Sequence, residues 1–282
     1  MVEFFNEIFE GNVLSVTQVP GGDINDAYKI STGKNEYFAK INNTMDAGKM
    51  LESEATALIF LSQKIGVNVP EVKFLTKKND TSILVLNWIN EGNKRKSYNF
   101  DFAVMMEKLH RTSNEYFGLE YDNYIGSLKQ SNQNNTDWLG FYYQCRIIPQ
   151  LKIAIDEKKM ESFYHKRVDS MFKNLSLEFP KVKPSLLHGD LWAGNYMTNH
   201  TGFPVLIDPA IYFGHREVDF AMMRLFGGFD PGIFSSYNEL FPFDEDMEKR
   251  IRFYQLYYVL VHVNLFGSSY AGQARSIIES YC

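Results

Sequence analysis

The sequence predicts an α+β chain of two lobes, a small antiparallel sheet followed by a larger, mainly helical part, and three observations carry that expectation. Five short segments of strand character, at 13–19, 27–30, 36–42, 72–76 and 82–88, crowd into the first 90 residues around one long helical stripe. Composition then changes, because EGNKRKSYN at 91–99 is polar and basic, as a connector is. Beyond it apolar residues recur at three- and four-residue steps, the period of helices. The lobes are accordingly placed at 1–90 and 91–282.

In chain order, residues 1–11 form an amphipathic helix and 13–19 alternate as a strand. The next turn, Pro20 to Asp26, holds Gly21 and Gly22 and is a hairpin loop able to approach phosphates. It fits neither G-x-x-x-x-G-K-[ST] nor G-x-G-x-x-G, which speaks against a Walker-type NTPase and a dinucleotide-binding dehydrogenase. The third strand carries Lys40 among Phe38, Ala39 and Ile41, and a lysine in mid-strand wants a partner. The helix at 47–65 puts Leu51, Glu54, Leu58 and Leu61 on one stripe, so Glu54 turns inward with the leucines. A lone buried carboxylate is costly. Pairing Glu54 with Lys40 removes that cost and would aim the lysine at a nucleotide's inner phosphates. A polar turn, KKND, joins strands 72–76 and 82–88, and Asn87, Trp88, Ile89 and Asn90 lead from the last strand into the connector as a hinge.

In the second lobe a helix at 100–111 buries Phe102, Met105, Met106 and Leu109 and stops at KLHRT. The turn-rich stretch 119–138 is a loop, either over an acceptor site or a plain surface connection. Helices follow at 138–157, 161–177, 216–226 and 244–266. With 45% hydrophobic residues the chain can bury a full core. A net charge of −5 leaves no basic footprint for nucleic acid. Cys145 and Cys282 show no C-x-x-C spacing, and no stretch has signal-peptide or membrane-span character, so a reducing cytoplasm is expected. Oligomeric state leaves no mark in the sequence.

The chemistry concentrates in SLLHGDLWAGNYM, beginning at Ser185, and in PVLIDPAIYFGHREVDFAM, beginning at Pro204. Asp190 and Asn195 stand with four residues between them after a short apolar strand. A carboxylate there can take the proton of an acceptor hydroxyl, while an amide oxygen can ligate magnesium without adding charge. Gly189 and Gly194 let the loop turn sharply. Asp208 ends the strand at 205–207, placed to hold a metal on nucleotide phosphates. His188 is read as a brace for this loop. A metallohydrolase of His188, Asp190, His215 and Glu217 lacks an H-E-x-x-H pair and is set aside.

HGDLWAGN alone suits any protein-kinase-like small-molecule kinase. Followed by DPAIYFGHREVDFAM and LFGGF, and preceded by GGDIND, FAKIN and WLGFYYQCRIIPQ, it resembles the fructosamine kinase (ketosamine 3-kinase) family over most of the chain. The resemblance implies a bilobal protein-kinase-like fold with ATP and Mg2+ in the crevice. It implies phosphorylation of the 3-hydroxyl of a ketosamine, fructosamine or ribulosamine, free or on a protein lysine. Asp190 would be the base, Asn195 and Asp208 the metal ligands, and Lys40, Glu54, Gly21, Gly22 and residues 87–90 the nucleotide contacts. Trp192 would either offer the sugar an aromatic face or serve in packing. His215, Glu217 and Asp219 would steady the loops around Asp208, with His215 and Glu217 the candidates for touching substrate. The chain departs from the family at Asp23, where many relatives carry more glycine and a cysteine, and at Asn87, where relatives often have an acid. The alternatives are an aminoglycoside or choline kinase and a nucleotide-binding pseudokinase. The last is disfavoured because base, metal ligand and clamp are all present, and a protein kinase because no A-P-E segment follows Asp208.

Overall fold

In the computed structural model, which describes residues 1–20, 25–176 and 179–282, a five-stranded sheet runs in the order β1-β2-β3-β5-β4. Its strands are β1 (Val13–Gln18), β2 (Asp26–Thr32), β3 (Glu36–Asn42), β4 (Val72–Lys78) and β5 (Thr81–Asn87), and every neighbouring pair is antiparallel. Alternation along β5 explains the layering. Ile83 and Val85 face one way, onto Phe5 of helix α1 (Val2–Ile8), with Val13, Ile30 and Ala39. Leu84 and Leu86 face the other way, onto Leu51, Ala55 and Leu58 of α2 (Ala47–Ile59). The long predicted helix therefore packs as its stripe requires, and it ends in a wide π-helical turn (Phe60–Ile65) stopped by Gly66 at φ +69°.

The chain divides into two compact units, Met1–Tyr98 with Met197–Asp208, and Asn99–Tyr196 with Pro209–Cys282. The first unit is larger than residues 1–90 because the polar connector is bound into it by the hairpin of β9 (Tyr196–Thr198) and β10 (Pro204–Leu206). Gly92 N–H donates to Thr198 O at 3.1 Å, and Arg95 N–H to Gly202 O at 3.4 Å. Asn68 fastens β10 in turn, its Nδ2 donating to Pro204 O at 2.8 Å and its carbonyl accepting from Leu206 N at 2.9 Å.

The second unit is mainly helical: α3 (Tyr98–Arg111), α4 (Trp138–Tyr142), α5 (Ile148–Asp156), α6 (Tyr164–Leu175), α7 (Glu217–Leu225), α8 (Pro231–Leu240), α9 (Met247–Phe266) and α10 (Ala271–Glu279). Helix α9 is buried on most sides, at Phe253, Tyr254, Leu256, Tyr257, Tyr258 and Leu260, and is the axis against which α5, α7 and α10 pack. Two small antiparallel pairs complete the unit, β8 (Ser185–Leu187) with β11 (Tyr212–Gly214), and β6 (Asn123–Ile125) with β7 (Leu128–Gln130). The β6–β7 hairpin corrects the loop expected at 119–138; Asn123, Gln130 and Asn132 are buried, not solvated. The helix expected at 138–157 is interrupted by a π-helical turn (Tyr143–Ile147). Pro149 has no N–H for the carbonyl four residues back, and Arg146 Nη1 donates to that Cys145 oxygen at 3.0 Å instead. No helix among the described residues is long and apolar enough to cross a membrane.

Candidate active site

In the first unit the register does the positioning. Lys40 lies opposite Leu84 in the β3–β5 pair and so shares the sheet face that receives α2. Glu54 stands on the stripe of α2 that meets this face, and Lys40 Nζ lies 2.8 Å from Glu54 Oε1. The same ammonium lies 2.5 Å from Asp208 Oδ1. Burial alone would lower the lysine's pKa, but the carboxylates of Asp208 and Glu54 more than reverse this and keep it protonated. The Glu54 carboxyl is pushed up by burial, against the pull of Lys40. Asp208 has φ +54°, a left-handed conformation that costs a non-glycine residue free energy and recurs at functional sites. Asn87 and Trp88 close the sheet: Glu71 N–H donates to Asn87 Oδ1 at 2.5 Å, Asn87 N–H to Glu71 O at 3.0 Å, and Trp88 N–H to Glu36 O at 3.2 Å. Those two hinge amides are thus occupied within the sheet. Ile89 is half-buried and Asn90 exposed. Gly21, Gly22 and Asp23 lie outside the described residues.

In the second unit Asp190 and Asn195 come together, with Asn195 Nδ2 donating to Asp190 O at 2.8 Å and to Asp190 Oδ2 at 3.1 Å. The nitrogen being so engaged, Oδ1 is the Asn195 atom left for a cation. The loop around them is tight. Gly189 has φ +83°, and a Cβ there would lie 2.1 Å from Ala210 O. A Cβ at Gly194 would lie 2.2 Å from Cη2 of the Trp192 indole, which covers Gly194 and leaves Trp192 43% exposed. His188 is fully buried, and its Nδ1 accepts from Asp190 N–H at 3.3 Å, the bracing part expected of it.

Beneath the loop, Asp219 at the start of α7 accepts from His188 N–H (Oδ2, 2.8 Å) and Gly189 N–H (Oδ1, 2.9 Å). Its Oδ2 also lies 3.1 Å from His110 Nε2, and His110 Nδ1 lies 2.9 Å from Tyr237 Oη. Burial lowers the His110 pKa, so the ring is neutral, with Nε2–H donated to Asp219 and Nδ1 accepting from Tyr237. KLHRT reads as a helix stop, yet its His110 is buried beneath the loop. The available signal was a histidine four residues after Met106 of the apolar stripe.

Glu217 and His215 are both buried. Glu217 is fully buried, with Arg250 Nε at 2.8 Å from Oε2 and Nη2 at 2.6 Å from Oε1, so its carboxylate offers an acceptor no surface. His215 is 2% exposed, and its Nδ1 lies 2.6 Å from Tyr254 Oη. The ligand atoms of His215, Glu217 and Asp244 lie within 4.8 Å of one another, but the guanidinium held by Glu217 fills that carboxylate's coordination and makes a poor cation site. Asn195 in the second unit offers an amide oxygen and Asp208 in the first a carboxylate, each a donor type that suits a hard divalent cation.

The fold is that of the protein-kinase-like phosphotransferases. A solved aminoglycoside phosphotransferase, APH(4)-Ia in complex with AMP-PNP and hygromycin B, shares this fold at 18% identity and TM-score 0.66, over 99% of this chain and 98% of its own. The chain belongs to the fructosamine kinase family, whose profile matches residues 5–282. It is 36% identical to a probable ketoamine kinase of Enterococcus faecium, over 94% of this chain and 95% of that one. A crystal structure named as a putative fructosamine-3-kinase of Haemophilus somnus superposes at TM-score 0.88 with 28% identity, over 99% of this chain and 96% of that one.

Proposed function

We propose that this kinase transfers the γ-phosphoryl group of ATP to the 3-hydroxyl of a ketosamine, free or formed on a protein lysine, as the first step of a deglycation-type repair in a reducing cytoplasm. The observation that carries the kinase reading is the Lys40 ammonium held between Glu54 and Asp208, since a buried cation with two carboxylates is costly to build for packing alone, and the family match over residues 5–282 supports the ketosamine acceptor. Asp190 takes the proton from the acceptor hydroxyl as its oxygen bonds to the γ-phosphorus, and the bond to the β,γ-bridging oxygen breaks to leave ADP. Lys40, aimed by Glu54, holds the inner phosphates. Asn195 and Asp208 would hold Mg2+, which when bound neutralises phosphate charge. Ile89 and Asn90 supply the adenine backbone contact, and Gly21 and Gly22, outside the described residues, are the candidates for phosphate contact. Trp192 gives the sugar an exposed aromatic face. Free thiols at both Cys145 and Cys282 accord with the compartment.

Asp190→Asn tests the role that matters most. The variant is expected to bind nucleotide normally and turn over roughly 10² to 10⁴ times more slowly, the contribution typical of a general base. Turnover near the wild-type rate would show that another group takes the proton.

A further inference from the structure

The β6–β7 hairpin and a sealed arginine belong to one structure. Arg146 is 0% exposed, and its guanidinium carbon lies 3.8 Å over the Tyr212 ring. It donates to neutral oxygens: Ser131 O at 2.5 Å, Cys145 O at 3.0 Å and Asn132 Oδ1 at 2.7 Å. A guanidinium donates and never accepts. Arg146 therefore turns the oxygen of the Asn132 amide toward itself and the nitrogen away, to Tyr121 O at 3.0 Å and Asn123 Oδ1 at 2.9 Å. Asn123, accepting on its oxygen, must aim its own nitrogen outward, and Nδ2 donates to Ile211 O at 2.8 Å. Gln130 is set in the same sense: Oε1 accepts from Tyr257 O–H at 2.7 Å, while Nε2 donates to Asn123 Oδ1 at 2.7 Å and to Ala210 O at 3.3 Å. The chain of amides has one polarity, and it ends on two consecutive carbonyls.

Those carbonyls form the shelf under the residues that precede Asp190. Ala210 N–H donates to His188 O at 2.9 Å. The Gly189 backbone lies so close to Ala210 O that a Cβ would reach 2.1 Å from it. We propose that Gln130 and Asn123 are positioning residues for the base: their amides, polarised by Arg146, fix Ala210 and Ile211, which seat His188 and Gly189 and so set the Asp190 carboxylate. The proposal rests on Asp190 being the base, as assigned above. A misplacement of about 1 Å far from the chemistry can cost on the order of a hundredfold in rate. Buried amides at these positions thus act on turnover as well as on folding.

Three variants separate the roles. Gln130→Met keeps the volume and removes both donated bonds. Asn123→Asp keeps both accepted bonds and removes the donation to Ile211. Tyr257→Phe removes one hydrogen bond from the network but leaves both contacts to the shelf. With magnesium ATP and a lysine ketosamine, Gln130→Met and Asn123→Asp should lose at least about tenfold in kcat with both KM values within about twofold of wild type, the order expected for a displaced reacting group. Tyr257→Phe, at comparable loss of Tm, should keep kcat near wild type. Equal kcat in Gln130→Met and Tyr257→Phe at matched Tm loss would overturn the proposal, and Gln130→Met decides alone if Asn123→Asp fails to fold. Asp190→Asn is run beside them: normal turnover there would remove the base assignment and this proposal together, whereas a slow Asp190→Asn with a fast Gln130→Met removes only this one.

Discussion

Replacing Asp219 by asparagine leaves the shape of the side chain and changes what it can accept. The wild-type carboxylate receives Gly189 N–H on Oδ1, and His188 N–H and His110 Nε2–H on Oδ2, at 2.9, 2.8 and 3.1 Å. An amide has one acceptor oxygen. With that oxygen in the Oδ2 position, two donors are kept and the Gly189 N–H faces an NH2 group in a buried site. Turned over, the amide strands His188 N–H instead and forces His110 into its other tautomer. The first arrangement is cheaper, and it leaves one unsatisfied buried donor, costing about 1–3 kcal/mol, and weakens two charge-assisted bonds to ordinary ones. The sum is roughly 2–4 kcal/mol, below the roughly 5–15 kcal/mol that holds a domain folded. Asp219→Asn should therefore fold, with Tm lower by roughly 5–15 °C for a chain of this size. Because the stranded amide belongs to Gly189, kcat should fall at least about tenfold while nucleotide KM is kept. Thermal unfolding followed by circular dichroism, with ADP release assayed well below the variant's Tm, reads both. A lowered Tm with wild-type kcat would refute the claim that Asp219 sets the catalytic loop, and an unchanged Tm would refute the hydrogen-bond account itself.

Two further outcomes follow from the same geometry. Lys40→Ala and Glu54→Ala should be strongly non-additive in kcat/KM, since each removes one end of a 2.8 Å pair; a double-mutant cycle with coupling within error of zero would dissolve that pair's functional role. His110 has its pKa lowered by burial, so below its unfolded value of about 6.5 the unfolded chain binds a proton that the folded one resists. Its contribution to stability is full above that pH and is lost as pH falls, and the stability gap between wild type and His110→Gln should narrow by up to about 1.4 kcal/mol between pH 7.5 and 5.5. Urea unfolding at the two pH values tests this, and a gap that widens toward acid would reverse the sign of the argument.

The sheet and the Lys40–Glu54 pair were legible because two periodicities met. Alternation put Lys40 on an inward face, the helical stripe put Glu54 on another, and a buried charge needs its opposite. The fold and family were legible in the spacing of Asp190, Asn195 and Asp208 and in the segment after it. What stayed hidden is polar and buried. Asparagine, glutamine and tyrosine at 119–138 read as solvated loop by composition, yet Asn123, Gln130 and Asn132 are inside because their amides meet backbone carbonyls distant in sequence. Helix α8 was hidden by Asp230-Pro231-Gly232, which reads as a turn, although Asp230 is an N-cap accepting Gly232 N–H at 2.8 Å and proline fits the first helical position. For Glu217 the family resemblance implies a loop-steadying part or substrate contact, and only the partner Arg250, 33 residues later, shows it as an interior ion pair.

Acceptor preference separates a ketosamine kinase from an aminoglycoside or choline kinase. Purified protein with magnesium ATP and, in parallel at matched concentration, fructose- and ribulose-derived lysine adducts, kanamycin and choline should release ADP fastest with a ketosamine, and the product should carry phosphate on the sugar's third oxygen by nuclear magnetic resonance. Faster turnover of kanamycin or choline than of every ketosamine, or phosphate on another oxygen, would contradict the account.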